Sequence, residues 1–233
     1  MSNGNETNMT HINLDLLKEA IIDMRYLLNR GYNRKTAADY VTSRYKLSKE
    51  ERAIIFRAVY PDEQAKNRLK KLISNPEEIT GKTLLIDGFN NIITIENALK
   101  GAILIKCDDG LIRDISYTSR KFKLTQYTET AIIMIFEILK IYKPKESIFF
   151  FDEQISFSGE IASKIRQKMR EEGINGYAKT CKRNDTEIIL KEEGIIASSD
   201  SLIMEKAERI FDLAGYITNS KFKERILDIT VFK

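Results

Sequence analysis

Three carboxylates carry the chemistry that this chain is equipped to perform. Asp87 closes the apolar run Thr83-Leu84-Leu85-Ile86 and is followed by Gly88, Phe89, Asn90 and Asn91. Asp152 closes Ile148-Phe149-Phe150-Phe151, and Asp200 follows Gly194 to Ala197 through Ser198 and Ser199. Each run is too short for a helix and reads as a strand buried on both faces. In a parallel sheet such strand ends share one edge, which is where open α/β sheets hold ligands. Asp185 reads as the cap of a short helix through Ile188, Ile189 and Leu190, close to the same edge. Acids gathered there repel one another, so a bare cluster takes up a proton or holds a cation. Mg²⁺ or Mn²⁺ prefers hard oxygen ligands; either could lower the pKa of a bound water and shield a phosphodiester. Each acid taken singly is equally an ordinary turn or cap.

The remaining composition removes the competing chemistries. The one histidine, His11, lies in a polar start, residues 1–11, that is expected to be disordered. Ser-His-Asp and Cys-His hydrolysis, paired-histidine RNA cleavage and HExxH metalloproteolysis therefore have no histidine to use. Cys107 and Cys181 have no CxxC spacing and, with one histidine, make no ordinary structural zinc site. Two cysteines and no secretory signal point to a reducing cytoplasm. The longest apolar run, Ala131 to Phe136, is far short of a membrane span.

The elements that must position the acids follow from periodicity. Residues 82–233 mostly alternate strand and helix, which predicts an α/β domain: a mostly parallel sheet with helices on both faces. Within it, Cys107-Asp108-Asp109-Gly110 predicts a hairpin turn between Ala102–Lys106 and Leu111–Ser116, and could cover the site. Residues 12–80 predict a small all-α domain of helices from Leu14, after Asn33 and after Ser48, with Ser48-Lys49-Glu50-Glu51 as a capping box. Between Arg25 and Lys71 there are 13 Lys and Arg against 5 Asp and Glu. That is a net +8 where the whole chain is +4, leaving −4 elsewhere. A basic module beside an acidic remainder suits a polyanion partner, and is equally a set of solvated helix faces. Candidate nucleic-acid contacts are Arg34, Lys35, Arg44 and Lys46 in the helices. Arg120, Lys121 and Lys123 in a basic loop, with Lys182 and Arg183 before the Asp185 helix, complete the set.

KTLLIDGFNN, IFFFDE, NDTEII and IIASSDSLI together resemble the PIN-like nuclease superfamily, especially its NYN branch. The whole chain also resembles proteins grouped as domains of unknown function 434 and 5616, a helical part joined to a PIN-like part. The likeness to the nucleases covers about Lys82 to Ser220. It implies a flavodoxin-like layered sheet and a Mg²⁺- or Mn²⁺-dependent endonuclease acting most often on RNA. It makes Asp87, Asp152, Asp185 and Asp200 the acidic metal site. Asn90 becomes a polar neighbour of the scissile phosphate, and Ser198 holds the last acid by a hydrogen bond. Because many PIN domains take an acid from a helix, Glu129 is a further candidate ligand.

The expected function is endoribonucleolytic phosphodiester hydrolysis by metal-activated water. The expected partner is nucleic acid, RNA foremost, with no membrane, and a second copy of the chain is a further candidate. The alternative is a nucleic-acid-binding or adaptor protein that has lost turnover. A haloacid-dehalogenase-like phosphatase ranks below both, because it wants an Asp two residues after Asp87, where Phe89 stands.

Overall fold

The computed structural model describes residues 12–115, 122–191 and 193–232. In chain order these form α1 (Leu14–Asn29), α2 (Arg34–Tyr45), α3 (Lys49–Ala58), α4 (Asp62–Leu69), β1 (Thr83–Asp87), α5 (Gly88–Leu99), β2 (Leu104–Lys106) and β3 (Ile112–Asp114). Then follow α6 (Gln126–Tyr142), β4 (Glu146–Asp152), α7 (Ser158–Glu172), β5 (Gly176–Cys181), α8 (Asn184–Ile189), β6 (Ile195–Ala197), α9 (Ser201–Lys206), α10 (Leu213–Lys221) and β7 (Ile226–Asp228). Among the described residues no helix is long and apolar enough to cross a membrane. The expectation for residues 1–11 falls outside those described.

Two compact units result: Met1–Lys70 with Asn97–Ser116 and Phe222–Lys233, and Lys71–Glu96 with Tyr117–Lys221. The first unit begins as its sequence dictates. Asn13 and Asn33 cap α1 and α2 through their side-chain oxygens, and Ser48 and Glu51 close the capping box of α3. Leu17, Ile21, Met24 and Leu28 recur on one face of α1 and are buried.

This unit is not all-α, however. Antiparallel β2–β3 and parallel β2–β7 make a three-stranded sheet in the order β3-β2-β7. Ile103, Ile105, Cys107 and Ile229 share one core with Leu17, Met24, Ile54 and Ile55. A single cut between residues 80 and 82 therefore does not separate the units. A hairpin and the last strand return to the helices because their apolar side chains complete that core.

The turn between β2 and β3 is a staple. Asp108 accepts from Arg25 Nη2 at 2.7 Å and from the Tyr60 backbone N–H at 3.0 Å. Asp109, fully buried, accepts from Arg113 at 2.7 and 2.8 Å and from Arg68 at 3.0 Å. Its own burial pushes the Asp109 carboxyl upward, but the two guanidiniums outweigh this and hold it below the usual range. The Tyr60 ring lies against both of these arginines and a third, with Arg68 at 4.4 Å, Arg113 at 5.4 Å and Arg34 at 4.5 Å from its centre. Both acids are thus engaged by side chains and backbone of the first unit.

The second unit is a layered α/β fold. Its sheet runs β5-β4-β1-β6 and every pairing is parallel. The chain moves outward from β1 to β4 and β5, then returns to place β6 on the other side of β1. That reversal is the topological switch point at which such sheets bind ligands, beyond the carboxyl end of β1. Single-residue bridges from Ile196 to Ile210 and from Ile210 to Leu72 extend the β6 edge. Phe149 and Phe151, alternate residues on one face of β4, meet Phe136 of α6 and Phe89 of α5 respectively.

Helix α5 starts directly at Gly88, four residues before the position its apolar spacing suggests. A β-carbon on Gly88 would lie 2.2 Å from the fully buried Phe151 ring, so only glycine lets strand turn into helix beneath it. Gly88→Ala is expected to destabilise the protein by about 1–3 kcal/mol. An unchanged denaturation midpoint would contradict this close approach.

Candidate functional site

The register of the sheet sets the acids. Asp87 pairs in register with Phe150, so Asp152 lies two residues further along β4. On the other flank Ile86 pairs with Ala197, which puts Ser198 level with Asp87 and Asp200 two residues beyond it. With α8 closing the space, Asp87, Asp152, Asp185 and Asp200 line a single cavity of about 520 Å³, together with Asn90, Lys182, Arg183 and Asn184. The four carboxyls, from distant parts of the chain, thus line the same cavity. Glu129 does not join them: it is exposed and lines a separate cavity with Lys164 and Lys168. Helix α6 buries Thr128, Ala131, Ile132, Ile135 and Phe136 and leaves Glu129 exposed.

Asp87 is the centre of the hydrogen bonding. Ser198 Oγ donates to its Oδ2 at 2.9 Å and Asn184 Nδ2 to its Oδ1 at 2.8 Å. Burial is the main influence on this carboxyl and pushes it from 3.8 up to about 7. Ser198 opposes the rise by hydrogen bonding, and the charge of Asp200 adds to it. Ser198 was expected to hold the last acid. Its hydroxyl does accept the backbone N–H of Asp200 at 3.1 Å, and it also donates to the first acid, because register places it opposite Asp87.

The other acids are fixed by backbone. Asp200 caps α9, accepting from Leu202 N at 2.8 Å and Ile203 N at 3.2 Å through one oxygen. Asp152 accepts from Gln154 N at 2.8 Å. Asp185 is not a cap: it stands in the first turn of α8, whose N-terminus has no side-chain cap.

Two asparagines stitch the switch point together. Asn91 Nδ2 donates at 2.8 Å to the carbonyls of both Asp87 and Ala197, joining the ends of β1 and β6, and its Oδ1 accepts from Ala214 N at 3.0 Å. Asn90 Oδ1 accepts from the backbone N–H and hydroxyl of Ser199, each at 2.9 Å. Asn184 and Asn91 are not among the sequence candidates; the polar trio of Asp-x-x-Asn-Asn, residues 87–91, is the available signal for Asn91.

Among the described residues no three Asp, Glu, His or Cys side chains meet at one point as a ready cage for a metal ion. The donor set nonetheless suits a hydrated hard cation. Mg²⁺ and Mn²⁺ are commonly held by one or two carboxylates and keep several waters, and the cavity has room for them. Electrostatics point the same way: burial beside Asp200 disfavours the Asp87 anion, and a nearby dication would restore it.

The basic candidates separate. Lys182 and Arg183 are exposed and line the acid cavity. Lys35, Lys46 and Lys123 are exposed, and Arg44 is exposed in a 3.3 Å pair with Asp23. Arg34 is a structural residue: Nη1 donates to the carbonyls of Phe56 and Val59 at 2.7 and 2.6 Å, closing α3, and its plane lies on Tyr60. Its helix-end position sets it against the open carbonyls at the end of α3. Arg120 and Lys121 lie outside the described residues.

Residues 76–216 match the family described as a domain of unknown function (DUF5616), and residues 16–71 match one described as a protein of unknown function (DUF434). The uncharacterized protein MJ0935 of Methanocaldococcus jannaschii is 39% identical over 202 residues, spanning 84% of this chain and 94% of that relative. No solved structure matches.

Proposed function

Since the chain belongs to the DUF5616 family, with a DUF434 segment ahead of it, we propose a function built on the cavity that the DUF5616 segment encloses. It is a PIN-like, metal-dependent endoribonuclease that hydrolyses phosphodiester bonds. One observation carries this reading: four carboxyls from the ends of β1, β4 and β6 and the start of α8 line a single cavity with two cationic side chains at its wall. Asp87, with Asp152, Asp185 and Asp200, would hold Mg²⁺ or Mn²⁺. When bound, the ion supplies a more acidic water and neutralises charge on the phosphate. Lys182 and Arg183 bind the anionic backbone, which would otherwise be repelled by the acids. Ser198 and Asn184 fix the Asp87 carboxyl, and Asn90, pinned by Ser199, presents its amide at the cavity wall.

The testing experiment is cleavage of labelled single-stranded and structured RNAs by the purified chain in Mn²⁺ and in EDTA. Cleavage in Mn²⁺ alone supports the reading; none on either RNA sinks it. Mn²⁺ is also expected to raise the melting temperature, and more at pH 8 than at pH 6. Below about 7 a proton competes for Asp87, so ligand linkage weakens there. An equal rise at both values would remove Asp87 from the metal set.

The second reading, a nucleic-acid-binding or adaptor protein without turnover, draws on the engagement of Asp87: each of its oxygens already accepts one side-chain hydrogen bond. RNA retained but uncut in Mn²⁺ would favour it.

A further inference from the structure

The second unit has a larger cavity at the opposite end of its sheet, about 740 Å³. It opens at the amino ends of the strands and its wall is basic. Lys82 precedes β1, Lys145 precedes β4, and Lys191 comes shortly before β6. Lys145 N donates to Lys82 O at 2.9 Å, which holds the first two side by side. Lys206, at the end of α9, joins them. Arg209 also lines the cavity but pairs with Glu78. Four lysines remain against Glu193 and Glu208. All four are exposed, and among the described residues none of them makes an ion pair. The floor at Gly194 is bare backbone, at φ +143°, where a β-carbon would press on Thr83 O at 3.2 Å. Solvated cations around a roomy concave floor are suited to successive phosphates rather than to an apolar ligand.

The same elements reach both cavities. Asn184 and Asp185 at the start of α8 line the acid cavity, and Ile189 at its end lines the basic one. Leu202 and Lys206 do likewise on α9, as Asp87 and Thr83 do on β1. A six-residue helix spans ~9 Å and the five residues of β1 ~13 Å, so the two cavities are separated by a short length of extended strand. Leu190 and Leu202, exposed at the end of α8 and the start of α9, offer apolar footing for bases on the way.

We propose that this groove anchors the phosphate backbone of single-stranded RNA on the side of the sheet away from the acids. It rests on the nuclease reading for its choice of strand. The anchor sets how much strand must be present for tight binding, independently of the bond that is cut.

The test is fluorescence anisotropy with a labelled, unstructured oligouridine in EDTA, where no cleavage intervenes. The proteins are wild type, a Lys82→Gln/Lys145→Gln double variant, a Lys191→Gln/Lys206→Gln double variant, and Lys164→Gln as a control from the exposed face of α7. Each double variant is expected to bind about tenfold more weakly, with the salt slope reduced by about two, while Lys164→Gln matches wild type. Two double variants, each checked for a native melting transition, guard against a folding defect in one. Unchanged affinity and slope in natively melting double variants, or no binding by wild type, overturns the proposal. So does loss of pyrophosphate binding with RNA binding intact, which would give the groove to small phosphates. RNA binding lost from the double variants while wild type cuts nothing in Mn²⁺ keeps the anchor and sinks the nuclease reading instead.

Discussion

Replacing Asp87 with Asn is expected to lower Mn²⁺-dependent RNA cleavage by at least about 100-fold and, at the same time, to make the protein more stable above pH 7. The two effects have one cause. Asp87 is buried at the end of β1, and its carboxyl is pushed from 3.8 to about 7. Between those values the folded chain keeps a proton that the unfolded chain has released. Stability is therefore full below about pH 4, falls as pH rises, and levels off above about 7, a loss of a few kcal/mol. Asparagine carries no such proton, so the variant's stability should be flat across that window. Its shape is conserved, and the Ser198 hydroxyl can turn to accept from the new amide. Urea unfolding at pH 4, 6 and 8 would measure this. If both proteins respond alike to pH, the burial of Asp87 does not govern its ionisation. Full cleavage by the variant would trace the activity to a contaminant.

The second large effect belongs to Asp109. Asp109→Ala is expected to destabilise the chain by about 3–5 kcal/mol, because it leaves the buried guanidiniums of Arg68 and Arg113 facing an empty space. Such a loss approaches the whole stability of many domains, so low yield is one form the result would take. Asp109→Asn separates charge from packing: it keeps the volume and one acceptor, and should fall between wild type and alanine. Equal stability of all three proteins would mean that the arginines find other anions. Wild type should also weaken on acidification below the ordinary carboxylate range, since a depressed carboxyl contributes stability that is lost as it is protonated.

Local signals in the chain announced much of this. The buried runs ending in Asp87 and Asp152 needed only short apolar segments closed by an acid, and the caps at Asn33 and Ser48 were plain from side-chain type. What stayed hidden was decided at a distance. Gly88-Phe89-Asn90-Asn91 reads as a turn, yet it is helical because Phe89 meets Phe151 and Asn91 ties two strand ends together. Arg34 has the composition of a surface contact, and only the fold reveals the carbonyls it closes. The pairing of Leu104–Lys106 with Ile226–Asp228 spans more than a hundred residues, beyond the reach of any periodicity.

That pairing bears on how the chain is made. The helices leave the ribosome before these strands, but the core they share with Ile105 and Ile229 stays open until β7 and Ile229 have been synthesised. During that interval β2 presents an unpaired edge and an apolar face to solvent, a state prone to association. A nascent chain stalled before Phe222 should therefore call on chaperones far more than the finished protein does. Expression of residues 12–221 alone would preserve that vulnerable intermediate indefinitely.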